Sequence, residues 1–154
     1  MDFGGRYLFA AKRAEVWSAL NSTKVLKAVI PGCESIVWTG PETLDLQIRV
    51  NLGLVKPVFA GELALSNVLP AQSYTLTGRG RGGMLGLAQG AADITLGESR
   101  EGTVLDFTAR GKADGAIMRL GKTIIGSSAR KIIDGFFTAI GAQMGVSVVP
   151  LPRD

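Results

Sequence analysis

The sequence predicts an α+β fold in which a curved antiparallel sheet of six to seven strands wraps around one long C-terminal helix, with two short helices after the first strand. Three observations carry this prediction. The middle of the chain alternates apolar and polar residues with a period of two, segment after segment. From about Ala116 to Met144 the period becomes helical. Between the first alternating segment and the rest lie two short stretches with helical spacing and a Pro-Gly stop.

In chain order, Phe3, Gly5, Tyr7 and Phe9 alternate with Gly4, Arg6 and Leu8 as a first strand. Ala11 to Leu20 reads as a helix with Val16, Trp17 and Leu20 inside, and Thr23 is placed as the cap of a second helix that runs through Ile30 and stops at Pro31-Gly32. Leu44, Leu46, Ile48 and Val50 then alternate with charged and amide residues, and Phe59, Gly61, Leu63 and Leu65 alternate with Ala60, Glu62 and Ala64. Tyr74, Leu76, Gly78 and Gly80 alternate with Thr75, Thr77 and Arg79. Ala92, Ile94 and Leu96 follow, then Leu105, Phe107, Ala109, Gly111 and Ala113. Short turn-rich joints such as Arg100-Glu101-Gly102 suit hairpins, so this is a meander with one wet face and one buried face. On the final helix Arg119, Thr123, Ser127, Arg130, Lys131, Asp134 and Thr138 share a polar sector, and Met118, Ile125, Ile132, Ile133, Phe136 and Ile140 fill the rest. Its apolar arc of roughly 200° exceeds the ~100° stripe of a surface helix, so the sheet embraces it from two sides. Strand, two helices, meander, long helix is the helix-grip arrangement.

The 154 residues fit one domain, placed at 1–146 with 147–154 as a C-terminal tail. Histidine is absent, which removes imidazole bases, Ser-His-Asp triads and imidazole metal sites. The single Cys33 precludes an internal disulfide and a thiolate zinc site, and fits a reducing, cytoplasmic setting; it reads better as a small buried residue than as a reactive thiol. A net charge of +4 suits an anionic lipid surface or an acidic partner and does not call for nucleic acid. Gly80-Arg81-Gly82-Gly83 lacks the Gly-Lys-Ser/Thr ending of a phosphate loop and lies between strands.

The inward positions are unevenly filled. Antiparallel pairing brings Gly61, Gly78, Gly80, Gly90, Ala92, Ala109, Gly111 and Ala113 to one end of the sheet, with Leu63, Leu65, Tyr74, Leu76, Ile94, Leu96, Leu105 and Phe107 at the other. A half-stripped apolar interior is either a ligand cavity or the signature of glycines at bulges and bends. On the cavity reading its walls are Val50, Phe59, Gly61, Tyr74, Leu76, Gly78, Gly80, Ala92, Ala109 and Gly111, roofed by Met118 and Ile125. Leu52, Leu54, Met84, Leu85 and Leu87 sit in loops at the same end beside Lys56, Arg79 and Arg81, and form either an apolar portal touching membrane or partner, or an inward plug. Arg130, Lys131 and Phe137 make either a docking surface or a solvated helix face. An enzyme on this fold needs acid-base groups facing inward, whereas only Tyr74 titrates among these inward positions and Glu62, Asp93 and Asp106 alternate outward. No catalytic residue is assigned.

Particular stretches carry a family likeness. These are Val16-Trp17-Ser18-Ala19-Leu20, Ile30-Pro31-Gly32-Cys33-Glu34, Val55-Lys56-Pro57-Val58-Phe59-Ala60-Gly61, Ser73 to Gly78, Gly82-Gly83 through Gly90, and Gly121-Lys122 through Ala129-Arg130-Lys131 to Phe136-Phe137. Through them residues 1 to 142 resemble the carbon monoxide dehydrogenase G-subunit family of the START/Bet v 1-like superfamily. The resemblance implies a non-catalytic accessory protein of a molybdenum hydroxylase of the carbon monoxide dehydrogenase or xanthine dehydrogenase type. It also implies membrane recruitment of that enzyme and a quinone or lipid-like molecule in the helix-grip cavity, with no other cofactor. Many members carry a longer C-terminal extension; here the sequence stops at Pro150-Leu151-Pro152-Arg153-Asp154.

Overall fold

Alternating apolarity becomes strands wherever one face can be buried. In the structure, a computed structural model, residues 2–49, 54, 56–81, 87–113 and 129–152 are described. The elements are β1 (Asp2–Phe9), α1 (Arg13–Leu20), α2 (Thr23–Val29), β2 (Cys33–Trp38), β3 (Thr43–Arg49), β4 (Val58–Leu69), β5 (Ser73–Arg81), β6 (Leu87–Ser99), β7 (Gly102–Ala113), α3 (Ala129–Met144) and β8 (Val148–Leu151). All eight strands form one antiparallel sheet in the order β2-β3-β4-β5-β6-β7-β1-β8.

The face assignments follow the expected parity. Along β3, Leu44 and Leu46 are buried while Asp45, Gln47 and Arg49 are exposed. Burial of these apolar side chains is the main force that fixes the register, because a one-residue slip would turn every leucine to water. The larger core cluster joins Tyr7 and Phe9 of β1, Val16 and Leu20 of α1, Leu96, Leu105 and Phe107 of the meander, and Phe137 and Ile140 of α3. A smaller cluster holds Ile36, Leu44 and Leu46.

Three details differ from the expectation. Ser22, not Thr23, caps α2: its hydroxyl accepts from the Val25 amide at 3.3 Å. The stretch expected as a tail forms β8, which pairs with β1 from Arg6↔Leu151 to Phe9↔Val148, and the Ala10 amide donates to the Ser147 carbonyl at 3.0 Å. The chain reverses after α3 and lays Val148 against the core, so these residues belong to the same folded unit. Finally, β2 is a strand of its own, which with β8 raises the count to eight. Both are edge strands, and both have the irregularity that blunts an edge: a register shift between Cys33 and Ser35 in β2, and Pro150 in β8. Of the expected helix from Ala116, the part from Ala129 lies within the described residues.

Candidate functional site

Strand register places the small inward residues in adjoining rows. Gly61 of β4 faces Gly80 of β5. Gly78 of β5 faces Gly90 of β6, which faces Gly111 of β7. One row nearer the packed end, Leu76 faces Ala92 and Ala92 faces Ala109; beyond it Tyr74, Ile94 and Phe107 line up with Gly5 of β1. Phe59 is half-buried opposite Ile48. Every described residue expected in the ligand wall therefore lies in this block of neighbouring rows. Leu63, expected at the packed end, pairs with Gly78 and leans over it. Val50, Leu52, Met84, Leu85, Met118 and Ile125 lie outside the described residues, and Leu87 is described in its backbone within β6.

The glycines in these rows do not mark bulges. The register of β4 with β5 shifts only between Ser66 and Leu69, well away from Gly61, Gly78 and Gly80, and β5–β6 and β6–β7 pair without a shift. Nor is their backbone in the left-handed region, which among the described glycines is confined to Gly32, Gly102 and Gly145. A Cβ at Gly80 would meet the Ala60 carbonyl oxygen at 3.8 Å, and one at Gly111 the Gln89 carbonyl oxygen at 3.5 Å, both ordinary contacts. Gly90 is different, since a Cβ there would come within 3.0 Å of the Arg110 carbonyl oxygen. At Gly80 and Gly111, then, backbone geometry tolerates a side chain and the sequence leaves it out.

At the border of the core lies a polar cluster in which an exposed Arg130 and a half-buried Asp134 reach the buried Tyr7. Arg130, Asp134 and Phe137 occupy one face of α3 at i, i+4 and i+7, and that face lies on β1. The Tyr7 hydroxyl donates to Asp134 Oδ1 at 2.5 Å. Arg130 donates through Nη2 to the Gly4 carbonyl at 2.7 Å and through Nη1 to the Tyr7 oxygen at 3.4 Å. Its guanidinium fits because residue 5 has no side chain: a Cβ there would lie 2.8 Å from Nη1. Burial, reinforced by the bond to Asp134, pushes the Tyr7 phenol up to about 12. Phe137, expected on a docking surface, is instead 6% exposed and packs its ring 4.5 Å from that of Tyr7 and 5.3 Å from that of Phe107. The correction concerns Phe137 alone: Arg130 stays exposed, and the polar sector meets the sheet here because Tyr7 and the Gly4 carbonyl bond its side chains. A tyrosine at an inward strand position was the available signal for such a partner. Tyr74 is accordingly not the one titratable residue inside.

Tyr74 is 6% exposed, with Trp17 of α1 edge-on to its ring at 5.2 Å. Burial raises its phenol ionisation as well. Cys33 is half-buried, its thiol donates to the Ser35 carbonyl at 3.4 Å, and burial pushes it up, away from the thiolate a nucleophile needs. Among the expected contact residues, Leu54 is fully exposed and Lys131 is exposed. An open cleft of about 970 Å³ is lined by the same Gly78, Gly90 and Gly111 together with outward-facing residues of β3 to β7. Its rim carries Asp45 and Glu62 against Arg79 and Arg110, a balanced set of charges unlike the apolar inner wall. Among the described residues no group of three or more acidic or cysteine side chains is placed to hold a metal, and no helix is long and apolar enough to cross a membrane.

A one-sheet grip on a C-terminal helix, with an inner wall of small residues, defines the helix-grip class, and solved structures agree. A conserved protein from Geobacillus kaustophilus superposes with a TM-score of 0.80 at 23% identity, covering 96% of this chain and 99% of that one. A protein from Chromobacterium violaceum gives 0.71 at 15% identity over 93% and 96%. The Bet v 1-like protein Ara h 8.0201 gives 0.64 at 12% identity over 94% and 97%. A search of curated protein sequences gives no match. The sequence profile of the carbon monoxide dehydrogenase G-subunit (CoxG) family matches residues 5–145, and the chain belongs to that family.

Proposed function

We propose that this protein is a non-catalytic accessory subunit that holds a neutral apolar molecule, quinone or lipid-like, against the small-residue rows of its inner wall. In doing so it helps recruit a molybdenum hydroxylase of the carbon monoxide dehydrogenase type to the membrane. The observation that carries the reading is that Gly80 and Gly111, whose backbone would accept a Cβ, sit in glycine rows free of bulges and of left-handed backbone. Close-packed interiors do not ordinarily omit side chains that the backbone would accept, because each void forfeits contacts. Family membership supplies the partner class. Leu54, an exposed leucine two residues from Lys56, supports a contact with an anionic lipid surface through apolar tips and basic shoulders.

The test is extraction and mass spectrometry of whatever apolar molecule co-purifies, compared between the wild type and the Gly80→Leu and Gly111→Leu variants. Both leucines enter where a Cβ has room, so the variants fold, and ligand recovery falls at least tenfold. Equal recovery from all three proteins rules out this site.

A further inference from the structure

The geometry points to Tyr74 as the donor that receives the oxygen of the bound molecule, and to that oxygen being uncharged. This rests on the reading of the interior as a ligand cavity. Tyr74 is buried, yet among the described residues its hydroxyl has no hydrogen-bond partner. No described side-chain oxygen or nitrogen is both sealed in and unbonded, so this oxygen borders open space. Hydroxyls of buried residues are nearly always bonded, and an unmatched one marks a place where a partner is expected from outside the protein. Its position fits. On β5 the inward series runs Tyr74, Leu76, Gly78, Gly80, from the packed end directly into the glycine rows. Trp17 holds the ring edge-on, which fixes the phenol without engaging its oxygen.

The surroundings set the charge of the guest. Tyr74 lies among Trp17, Leu65, Leu76 and Ile94, none of which carries charge. Among the described residues the charged pair bonded to Tyr7, Arg130 and Asp134, lies across Ile94 and Phe107, at the Gly5 end of the same cross-strand row. It is already committed to Tyr7 and to the Gly4 carbonyl. A carboxylate at Tyr74 would be stripped of water with no cation among the described residues to meet it, whereas a carbonyl, ether or hydroxyl oxygen loses little. Burial keeps the phenol protonated, so it donates throughout the neutral range.

Two probes of one shape separate this proposal from the cavity reading: benzophenone, and diphenylmethane, which lacks the carbonyl. The wild type is expected to bind benzophenone several-fold more tightly than diphenylmethane, and benzophenone-4-carboxylate at least tenfold more weakly than benzophenone. Tyr74→Phe is expected to lower benzophenone affinity three- to tenfold, the worth of one net hydrogen bond, and to leave diphenylmethane unchanged. The unliganded variant is expected to melt no lower than wild type, because the deleted hydroxyl has no partner to lose. Binding of both hydrocarbon and ketone with no selective loss in Tyr74→Phe overturns the role of Tyr74 and leaves the cavity standing. A lowered melting temperature in the unliganded variant also overturns it. Failure of the wild type to bind either probe overturns the cavity reading and this proposal together.

Discussion

Tyr7 and Asp134 stand 127 residues apart in the chain, and the phenol of one donates to the carboxylate of the other at 2.5 Å. The bond ties the first strand to the last helix beside the ring contact of Tyr7 with Phe137. Its pH dependence has a definite sign. The phenol ionises at about 12 in the folded protein against 10.0 ordinarily, so folding favours the protonated form. The contribution is complete below pH ~10 and is lost as pH rises from there through about 12. Tyr74 shifts in the same direction, and these are the chain's two tyrosines. The folded protein should therefore show no tyrosinate absorbance at 295 nm near pH 10, and the signal should rise together with loss of far-ultraviolet dichroism at higher pH. A half-developed signal at pH 10 with the fold intact would contradict this.

Removing the Tyr7 hydroxyl leaves Asp134 short of its donor within a partly buried contact. Tyr7→Phe should cost about 1.5–3 kcal/mol in urea unfolding, the range for a hydrogen bond to a charged group. It should also flatten the alkaline limb of the stability curve. A loss below about 0.5 kcal/mol would show that the bond contributes nothing net.

Gly5→Ala tests the slot that Arg130 occupies. The new methyl would meet Nη1 at 2.8 Å and the rings of Phe107 and Tyr7 at 3.2 Å, so the guanidinium must shift, straining its bond to the Gly4 carbonyl, and both rings must give by a few tenths of an ångström. The expected cost is about 1–3 kcal/mol. In an Arg130→Ala background the same change should cost distinctly less, which a double-mutant cycle would read.

On α3 two neighbouring turns should respond very differently. Phe137→Ala empties a space shared by Tyr7, Phe9, Phe107 and Phe136 and should cost about 3–5 kcal/mol. Lys131→Ala, on an exposed residue, should change stability by no more than about 0.5 kcal/mol. Denaturant midpoints of the two variants decide it.

Gly32, in the Pro31-Gly32-Cys33 motif, has φ +73, and a Cβ there would collide with the Arg49 carbonyl oxygen. Its own carbonyl accepts from the Arg49 amide at 2.8 Å, so the motif clamps the start of β2 to the end of β3. Gly32→Ala should destabilise by about 1–3 kcal/mol. A neutral result in thermal unfolding would mean that the clamp relaxes without penalty.

What could be foreseen in the sequence divides along physical lines. The meander and the face of each strand were legible because Leu44, Leu46, Ile94, Leu96, Leu105 and Phe107 alternate strictly with polar residues, and burial enforces that parity. The clustering of Gly61, Gly78, Gly80, Gly90 and Gly111 followed from pairing geometry alone. Two edge strands were not legible, since β2 buries one residue and β8 has four residues that read as a proline-bearing end. The burial of Phe137 beside Arg130 and Asp134 was hidden because a helical wheel sorts by polarity and cannot see that Tyr7 and the Gly4 carbonyl supply partners for a polar face.

Leu63 leans over Gly78, but along Gly90 and Gly111 the inner surface of the wall is without side chains of its own. Elsewhere in the sheet, neighbouring side chains interlock and resist bending; on this strip there is nothing to interlock. It therefore lacks the cross-strand side-chain pairs that stabilise the rest of the sheet. On the proposed reading, a guest lying against it would be sorted by bulk more than by fine outline, so molecules of similar thickness would compete on nearly equal terms.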